Sequence, residues 1–530
     1  MKEFKALNLG FLDAENYLER DNKTFFNNIF FKDENLEKLL RASTYYLIGE
    51  KGTGKTAYSV FLTNNEYKNT KSKIKYIRET DYSKFIELKK QKNLCLSDFS
   101  NIWKVILLVL ASNHIDESDL KDNFIFRKTK IQKLISIIDD YHENAFSPEI
   151  INVLNIVESD ELMAKINIQQ SEIEGKTNIT KSGETKKFNI QLMRLERNFK
   201  DALQSIKLKK NLIIFIDGID MRPENIEYQD YLECIKGLSE ATWSLNRDFF
   251  GNIRDSSGRI KIVLLLRPDI FNTLELPNDA NKLRDNSVFL DWRTTYPNYR
   301  TSQIFKLIDR LLSIQQENKI IEDGTTWDEY FPWKTQSTST EREYDPSFIS
   351  FLRWSYSRPR DIIASLQILQ DQDKIEDIFK QNKVDKYIQS PDFKDQVSEY
   401  TLRSIKNQTS FYYTDEEYNM LIIFFDYLYN PDFTWNEYCS KFKEYTERLE
   451  NLYHKIPEFA SSKESFIQFL YDTNIICYIE DSEDGPMFRW CYRERNFSRI
   501  APKIKFDVRY RVHYGLHKAL NIGHKKIFYR

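Results

Sequence analysis

Eight residues restrict the fold of this chain more than any others. Gly49-Glu50-Lys51-Gly52-Thr53-Gly54-Lys55-Thr56 follow the β-branched and aromatic run Thr44–Ile48 and lead into a helical segment from about Lys55. Strand, glycine-rich turn and helix in that order aim the N–H groups of the turn and of the helix N-terminus at one spot, where they bind anionic oxygens. The spacing is G-x-x-x-x-G-K-[ST]. It assigns Gly49, Gly52 and Gly54 to close backbone approach, Lys55 to the β- and γ-phosphates of a nucleoside triphosphate, and the Thr56 hydroxyl to Mg²⁺. A chance glycine-rich turn is the alternative, but the chain holds only 14 glycines in 530 residues, so such a match is rare.

Four further strands are expected: "KIKYIR" (73–78), "NLIIFIDG" (211–218), "IKIVLLLR" (260–267) and "NSVFLDW" (286–292). The last three are short apolar runs flanked by polar turns, the pattern of strands buried on both faces of a parallel sheet. Helical segments separate them, which predicts an α/β domain over 1–300 with a five-stranded parallel core. The interval 85–210 reads as an insertion. "LVLASNHI" and "IQKLISIIDDYH" look helical, and the alternating 165–192 segment reads as one or two exposed β-hairpins, either a solvated loop or a partner contact. Residues 301–385 read as a helical lid. In 386–530, "TDEEYNMLIIFFDYL" and "TWNEYCSKF" open on capping boxes, Thr414 to Glu417 and Thr434 to Glu437. Helix, strand, turn and strand then follow, the order of a winged helix.

Composition narrows the class. Net charge is −2 and charged residues make up 30% of the chain, so no global attraction draws it to nucleic acid or to an anionic membrane. Five scattered cysteines without a C-x-x-C pair argue against a zinc site or a disulfide framework and fit a reducing cytoplasm. The longest apolar run, "VILLVLA" at 105–111, is too short to span a bilayer and is expected in a buried helix.

A Mg²⁺–triphosphate site also needs a strand-end carboxylate and a group that orients water. Asp217 ends the "LIIFID" run and is assigned to the metal together with Thr56; a helix cap is the alternative. Many ATPases place Glu directly after that Asp. Here the position is Gly218, so Asp220 is the candidate for polarising water, against the reading of an ordinary turn aspartate. Arg267 ends "KIVLLLR" and is expected to sense the γ-phosphate, or else to pair with Asp269 or Asp217. In "YSRPRDII", Arg358 and Arg360 flank a helix start, where an arginine can reach bound nucleotide; Arg360 is placed with Gly49–Thr56 in the cofactor site. Arg284 closes a helical segment immediately before the fifth strand. A helix C-terminal arginine complementing the macrodipole is its plain reading.

Together these residues resemble the ASCE division of P-loop ATPases, on the AAA+ and STAND side. "IDGID" looks like the STAND strand motif, although Met221 stands where that family usually has Glu. "RPRD" is similar to the sensor-2 box of AAA+ and KAP-type ATPases. More closely, the chain resembles a bacterial family of stand-alone P-loop ATPases of about this length. The marks are "GFLDAE" (Gly10, Asp13, Ala14, Glu15), "GEKGTGKT", "DGIDMRPENIEYQDYLECIKGL", "LLLRPDIF", "KLRDNSVFLDW" and "VHYGLHKALNIG". The resemblance implies an ATPase using ATP and Mg²⁺, often encoded near mobile elements and anti-phage genes. It also implies that Arg284 is an arginine finger reaching a neighbouring subunit.

Two functions are therefore weighed. One is an oligomeric, ATP-hydrolysing switch or assembly protein in the cytoplasm, acting through a protein effector in anti-phage defence and not at a membrane. The other is a DNA-binding ATPase of the origin-recognition or transposition-helper type. Four wing carboxylates, Glu480, Asp481, Glu483 and Asp484, would repel phosphate. The basic tail (Lys503, Lys505, Arg509, Arg511, Lys518, Lys525, Lys526, Arg530) could attract it or simply be solvated.

Overall fold

A computed structural model describes residues 1–77, 96–144, 181–223, 226–316, 324–337, 343–482 and 485–522. The chain divides into two compact bodies, 33–48 with 55–288, and 1–32 with 49–54 and 289–530.

The first body is built on a parallel sheet of five strands, β1 (Tyr46–Ile48), β2 (Thr70–Tyr76), β3 (Asn211–Asp217), β4 (Ile260–Leu266) and β5 (Ser287–Phe289), in the order β2-β3-β4-β1-β5. The apolar runs behave as their composition requires. Every residue of β1 and β4 is buried, as are Leu212 to Asp217 of β3, because helices cover both faces. Parallel register sets Leu212 opposite Ile260 and Tyr46 opposite Leu264, and it brings Tyr76 level with Asp217 at the carboxyl ends of β2 and β3. The run "VILLVLA" lies in the helix Leu96–Asn113, buried over most of its length, with the Trp103 indole donating to the Cys234 carbonyl of the helix Tyr228–Ser244. No helix among the described residues is long and apolar enough to cross a membrane.

The insertion differs from the expected hairpins. Residues 181–192 belong to a long helix, Lys181–Ser205, which packs with the helices Leu96–Asn113 and Phe124–Asn144. Their alternation was misleading because the helix buries a narrow stripe, Leu192, Leu195, Phe199, Ala202 and Leu203, whose spacing is helical only from Leu192 onward. Residues 165–180 lie outside the described residues.

The second body begins with an N-terminal arm. Phe4, Leu7 and Leu9 enter a core with Trp327, Phe348 and Leu366 from the helices Thr325–Tyr330, Ser347–Trp354 and Pro359–Gln370. A short hairpin, β6 (Lys334–Gln336) with β7 (Tyr344–Pro346), precedes the second of these helices. Ser357 at φ 53° breaks what reads as one helical run into two.

Beyond residue 410 the order is helix (Asp415–Ile423), β8 (Asp432–Thr434), helix (Trp435–Tyr453), helix (Lys463–Asp472), β9 (Ile476–Ser482) and β10 (Gly485–Arg489). Both expected capping boxes form, Thr414 with Glu417 and Thr434 with Glu437. The tail is not simply solvated: Arg509–Val512 form β11, inserted between β9 and β8 in the antiparallel order β10-β9-β11-β8. Tyr510 and Val512 alternate inward with Arg509 and Arg511 outward, a period-two pattern hidden by the basic residues around it.

One buried cation in the first body yields a pH prediction. Lys261, in β4, is 5% exposed and donates to the carbonyls of Leu39 and Arg41 at 2.7 and 2.8 Å, closing the C-terminal end of the helix Glu34–Leu40. Burial pushes its ammonium down to about 7. The unfolded chain holds that proton to a pH of about 10.4. Stability should therefore rise with pH across this window, at up to about 1.4 kcal/mol per unit from this group, and the full penalty remains below pH 7. Urea denaturation at pH 7, 8 and 9 should show that slope in the wild type and lose it in Lys261→Met. Equal slopes would contradict the assignment.

Candidate functional site

The phosphate-loop sequence folds as its glycines dictate. Gly52 and Gly54 sit at φ 90° and 93°, in the left-handed region that side chains avoid. A Cβ on Gly52 would lie 3.2 Å from the Cβ of Arg360. Four consecutive carbonyls, Glu50 to Thr53, are hydrogen-bonded. The Glu50 carbonyl accepts from the Thr53 amide and hydroxyl, at 3.2 and 2.8 Å. Lys51 accepts from the Arg358 guanidinium at 2.9 Å, Gly52 from the Arg360 amide at 3.4 Å, and Thr53 from the Trp292 indole at 2.8 Å. A planar trans peptide sets its N–H opposite its C=O. Holding the carbonyls of Lys51 and Thr53 to one side therefore turns the Gly52 and Gly54 N–H groups to the other, the arrangement that an anion-binding concavity would need.

The "RPRD" box divides the work of its two arginines. Arg358, the residue before the helix Pro359–Gln370, is buried. It donates to Asp361 at 2.8 Å, lies over the Tyr356 ring at 4.7 Å and holds the loop through Lys51. Asp361 in turn accepts from the Tyr356 amide and the Tyr400 hydroxyl. The guanidinium of Arg360 makes no ion pair among the described residues, so of the two it is the one available to a ligand. Glu50 is not available. Its carboxylate meets Arg495 at 2.5 Å, with the two side chains 13% and 4% exposed.

In the first body, Lys55 and Thr56 open the helix Lys55–Asn64. The Thr56 hydroxyl donates to the Asp217 carboxylate at 2.6 Å, and the second Asp217 oxygen accepts from the Gly218 amide at 2.8 Å. Hydroxyl and carboxylate are thus brought together as a Mg²⁺–triphosphate site requires, and these oxygen donors are the ones that would hold the metal. Burial, and next the charge of Asp220, push the Asp217 carboxyl above the usual carboxylate range. The hydrogen bonds from Thr56 and Gly218 and the charge of Lys55 act against that rise. A divalent cation would remove the conflict by favouring the ionised form. Gly218 stands at φ 87°, and a Cβ there would lie 2.4 Å from the Ile77 carbonyl oxygen, so Glu is sterically barred from this position.

Arg267 is fully buried and forms a two-pronged pair with Asp269, at 3.1 and 2.5 Å. This is the pairing weighed against the sensor role. Arg284 lies in the last turn of the helix Asp279–Asp285, three residues before β5 begins at Ser287. It is exposed and makes no ion pair among the described residues. Sequence reasoning missed Arg495 and Trp292. Arg495 is 445 residues from Glu50, and no local pattern signals such a pair. Trp292 could have been found as an aromatic residue just beyond a strand that ends near the loop.

Of the four carboxylates around the β9–β10 turn, the two that are described have partners. Glu480 pairs with Arg489 at 2.7 Å and with Lys505, Asp481 with Arg509 at 2.7 Å, and Asp432 with Arg511. Tail cations and wing acids thus neutralise one another across β8, β9 and β11. Glu483, Asp484, Lys525, Lys526 and Arg530 lie outside the described residues.

Comparison with known proteins assigns no relative: no family model matches the chain, and no curated protein sequence matches it.

The buried Glu50–Arg495 pair leads to a stability prediction. Removing one partner leaves a charge without compensation, at a cost of about 3–5 kcal/mol, whereas removing both is nearly neutral. Arg495→Met should lower the denaturation midpoint sharply, and Glu50→Gln with Arg495→Met should recover most of the loss. If the double variant is as unstable as the single one, the pair does not anchor the loop.

Proposed function

We propose that the protein is an ATP-dependent switch or assembly ATPase. The observation that carries this reading is the Thr56–Asp217 contact at the end of β3, made by a threonine that follows in sequence on the turn 49–54, whose carbonyls are hydrogen-bonded. In this reading Gly49 to Thr56 cradle the triphosphate, Lys55 neutralises its outer phosphates, and Thr56 and Asp217 hold Mg²⁺ when it is bound. Asp220, close enough to raise the Asp217 carboxyl, orients the attacking water. Arg360 supplies a cation from the helical region, and Arg267, held by Asp269, stiffens the end of β4.

The resemblance to AAA+ and STAND ATPases supplies the rest: a homo-oligomer in which Arg284 completes a neighbour's site, a protein effector, and a setting in anti-phage defence. The alternative, a DNA-binding ATPase using a winged helix, is less well supported. Three of the eight tail cations that would meet DNA phosphates, Lys505, Arg509 and Arg511, are already paired with carboxylates.

Two measurements test the proposal. Lys55→Ala should abolish ATP binding by calorimetry, while Asp220→Ala should retain it and lose turnover by roughly a hundredfold. Unimpaired ATP affinity in Lys55→Ala would refute the site, and unchanged turnover in Asp220→Ala would remove that residue from catalysis.

The shared site is tested by mixing. Lys55→Ala and Arg284→Ala proteins should each be nearly inactive, and their mixture should recover ATPase activity. A Lys55→Ala subunit still offers Arg284 to a neighbour with an intact loop. A dead mixture with demonstrated subunit exchange, or an active wild-type monomer, would exclude it.

A further inference from the structure

A second concave site lies within the second body and shares no residue with the phosphate loop. It is a cleft of about 760 Å³ walled by the β6 side of the helical region and by residues of the C-terminal sheet. Such a volume suits a ligand of nucleotide size.

The walls combine flat rings with guanidinium groups. The Tyr296 ring has Arg353 at 5.6 Å and Arg493 at 6.0 Å from its centroid. Trp354 and Tyr514 lie with their ring planes 3° apart, and Tyr514 is 42% exposed, so a ring face is open to stacking. The arginines differ in their commitments. Arg353 pairs with Asp345 at 2.7 Å, and Arg511 pairs with Asp432. Arg493 has the Tyr492 hydroxyl as its hydrogen-bond partner at 3.1 Å and no carboxylate among the described residues. Burial pushes His513, which also lines the cleft, down to about 3, so it adds no charge.

The polar atoms at the wall favour one kind of ligand. The Trp333 indole Nε1, the Ser350 hydroxyl and the Arg353 Nε are all buried and without a hydrogen-bond partner, and Ser350 is only 3% exposed. Buried polar groups are normally satisfied. Indole and guanidinium nitrogens can only donate, so a ligand that reached them on entering the cleft would have to offer acceptors. A planar group to stack, acceptor atoms along its edge and an anion for Arg493 describe a nucleotide: a base with ring nitrogens and carbonyls, joined to a phosphate.

We propose that this cleft binds a nucleotide unit, with the base on the Trp354–Tyr514 side and the phosphate on Arg493. The unit comes either as a free nucleotide or as the end of a single strand.

The test uses the full-length chain carrying Lys55→Ala, so that the phosphate loop does not report. The probes are the nucleoside 5′-monophosphates and a 5′-phosphorylated single strand about eight nucleotides long. The readout is quenching of tryptophan fluorescence, since Trp333, Trp354 and Trp490 line the cleft. Saturable quenching is expected. Arg493→Gln and Tyr514→Ala should each weaken it by about tenfold or more, and Arg509→Gln, whose partner is Asp481, should not change it. If Arg493→Gln fails to fold, judged by circular dichroism, Arg493→Lys keeps the charge, loses the planar fork and should still weaken binding. Equal affinity for monophosphates and strand identifies a free nucleotide. Binding of the strand alone, falling steeply with salt, identifies a strand end. The proposal is overturned if no probe quenches at millimolar concentration, or if Arg493→Gln or Arg493→Lys folds and binds as tightly as the parent.

Discussion

The structure depends on how the phosphate-loop peptides are held. A glycine-rich turn with φ near 90° at Gly52 and Gly54 has no intrinsic reason to stay in one shape, because glycine has the most conformational freedom to lose. Here Arg358, the Arg360 amide and the Trp292 indole fix three successive carbonyls from outside, and Glu50 and Thr53 close the remaining turn on themselves. Each holding group has its own support. Arg358 rests on Asp361 and Tyr356, and Asp361 on Tyr400. The helix Pro359–Gln370 is tied to the N-terminal arm, where Gln367 donates to the Gly10 carbonyl and Gln370 to those of Phe4 and Leu7. The "GFLDAE" box thus acts through the helix that follows the arginine pair, a structural duty invisible from its position near residue 10. Ordering the loop before any anion arrives removes most of the entropy that binding would otherwise cost.

The strand-end chemistry follows from a second constraint. β3 delivers Asp217 into a buried position level with Tyr76 of β2, and the chain must then turn past the Ile77 carbonyl. Only glycine fits that turn, which excludes a carboxylate at the adjacent position and leaves Asp220, three residues on, as the nearby acidic group. Burial raises the Asp217 carboxyl first of all, and the neighbouring charge of Asp220 adds to that rise. The same backbone step therefore accounts for both the missing glutamate and part of the electrostatic tension at Asp217.

These constraints explain what was readable in the sequence. Runs buried on both faces announce parallel strands: β1, β3, β4 and β5 fall within the predicted segments, and β2 begins three residues before its own, at Thr70. Thr414–Glu417 and Thr434–Glu437 are legible because a capping box is local. The helix over 181–192 was not legible, because apolar residues spaced by chance can imitate a strand. β11 was not either, because its outward arginines dominate its composition. Residue types and spacing placed Thr56 and Asp217 correctly with respect to each other. They could not show that Arg358 would turn toward the loop backbone while Arg360 stayed open, since that choice is made by Asp361 and Tyr400.

A common thread is how guanidinium groups are spent. Arg267, Arg358 and Arg495 are buried and paired with Asp269, Asp361 and Glu50, so their charge is matched within the fold. Arg489, Arg509 and Arg511 are likewise matched by Glu480, Asp481 and Asp432 on the C-terminal sheet. Lys505 of the tail is matched in the same way, by Glu480. Arg284, Arg360 and Arg493 lack a carboxylate among the described residues, and each stands where an outside anion can reach: the end of a helix, the edge of the phosphate loop, and an aromatic cleft. A cation kept near the surface without a counter-charge gives up a favourable pairing in the free protein. The gain is that such a cation can pair with an anion arriving from outside, while a net charge of only −2 provides no general attraction for polyanions.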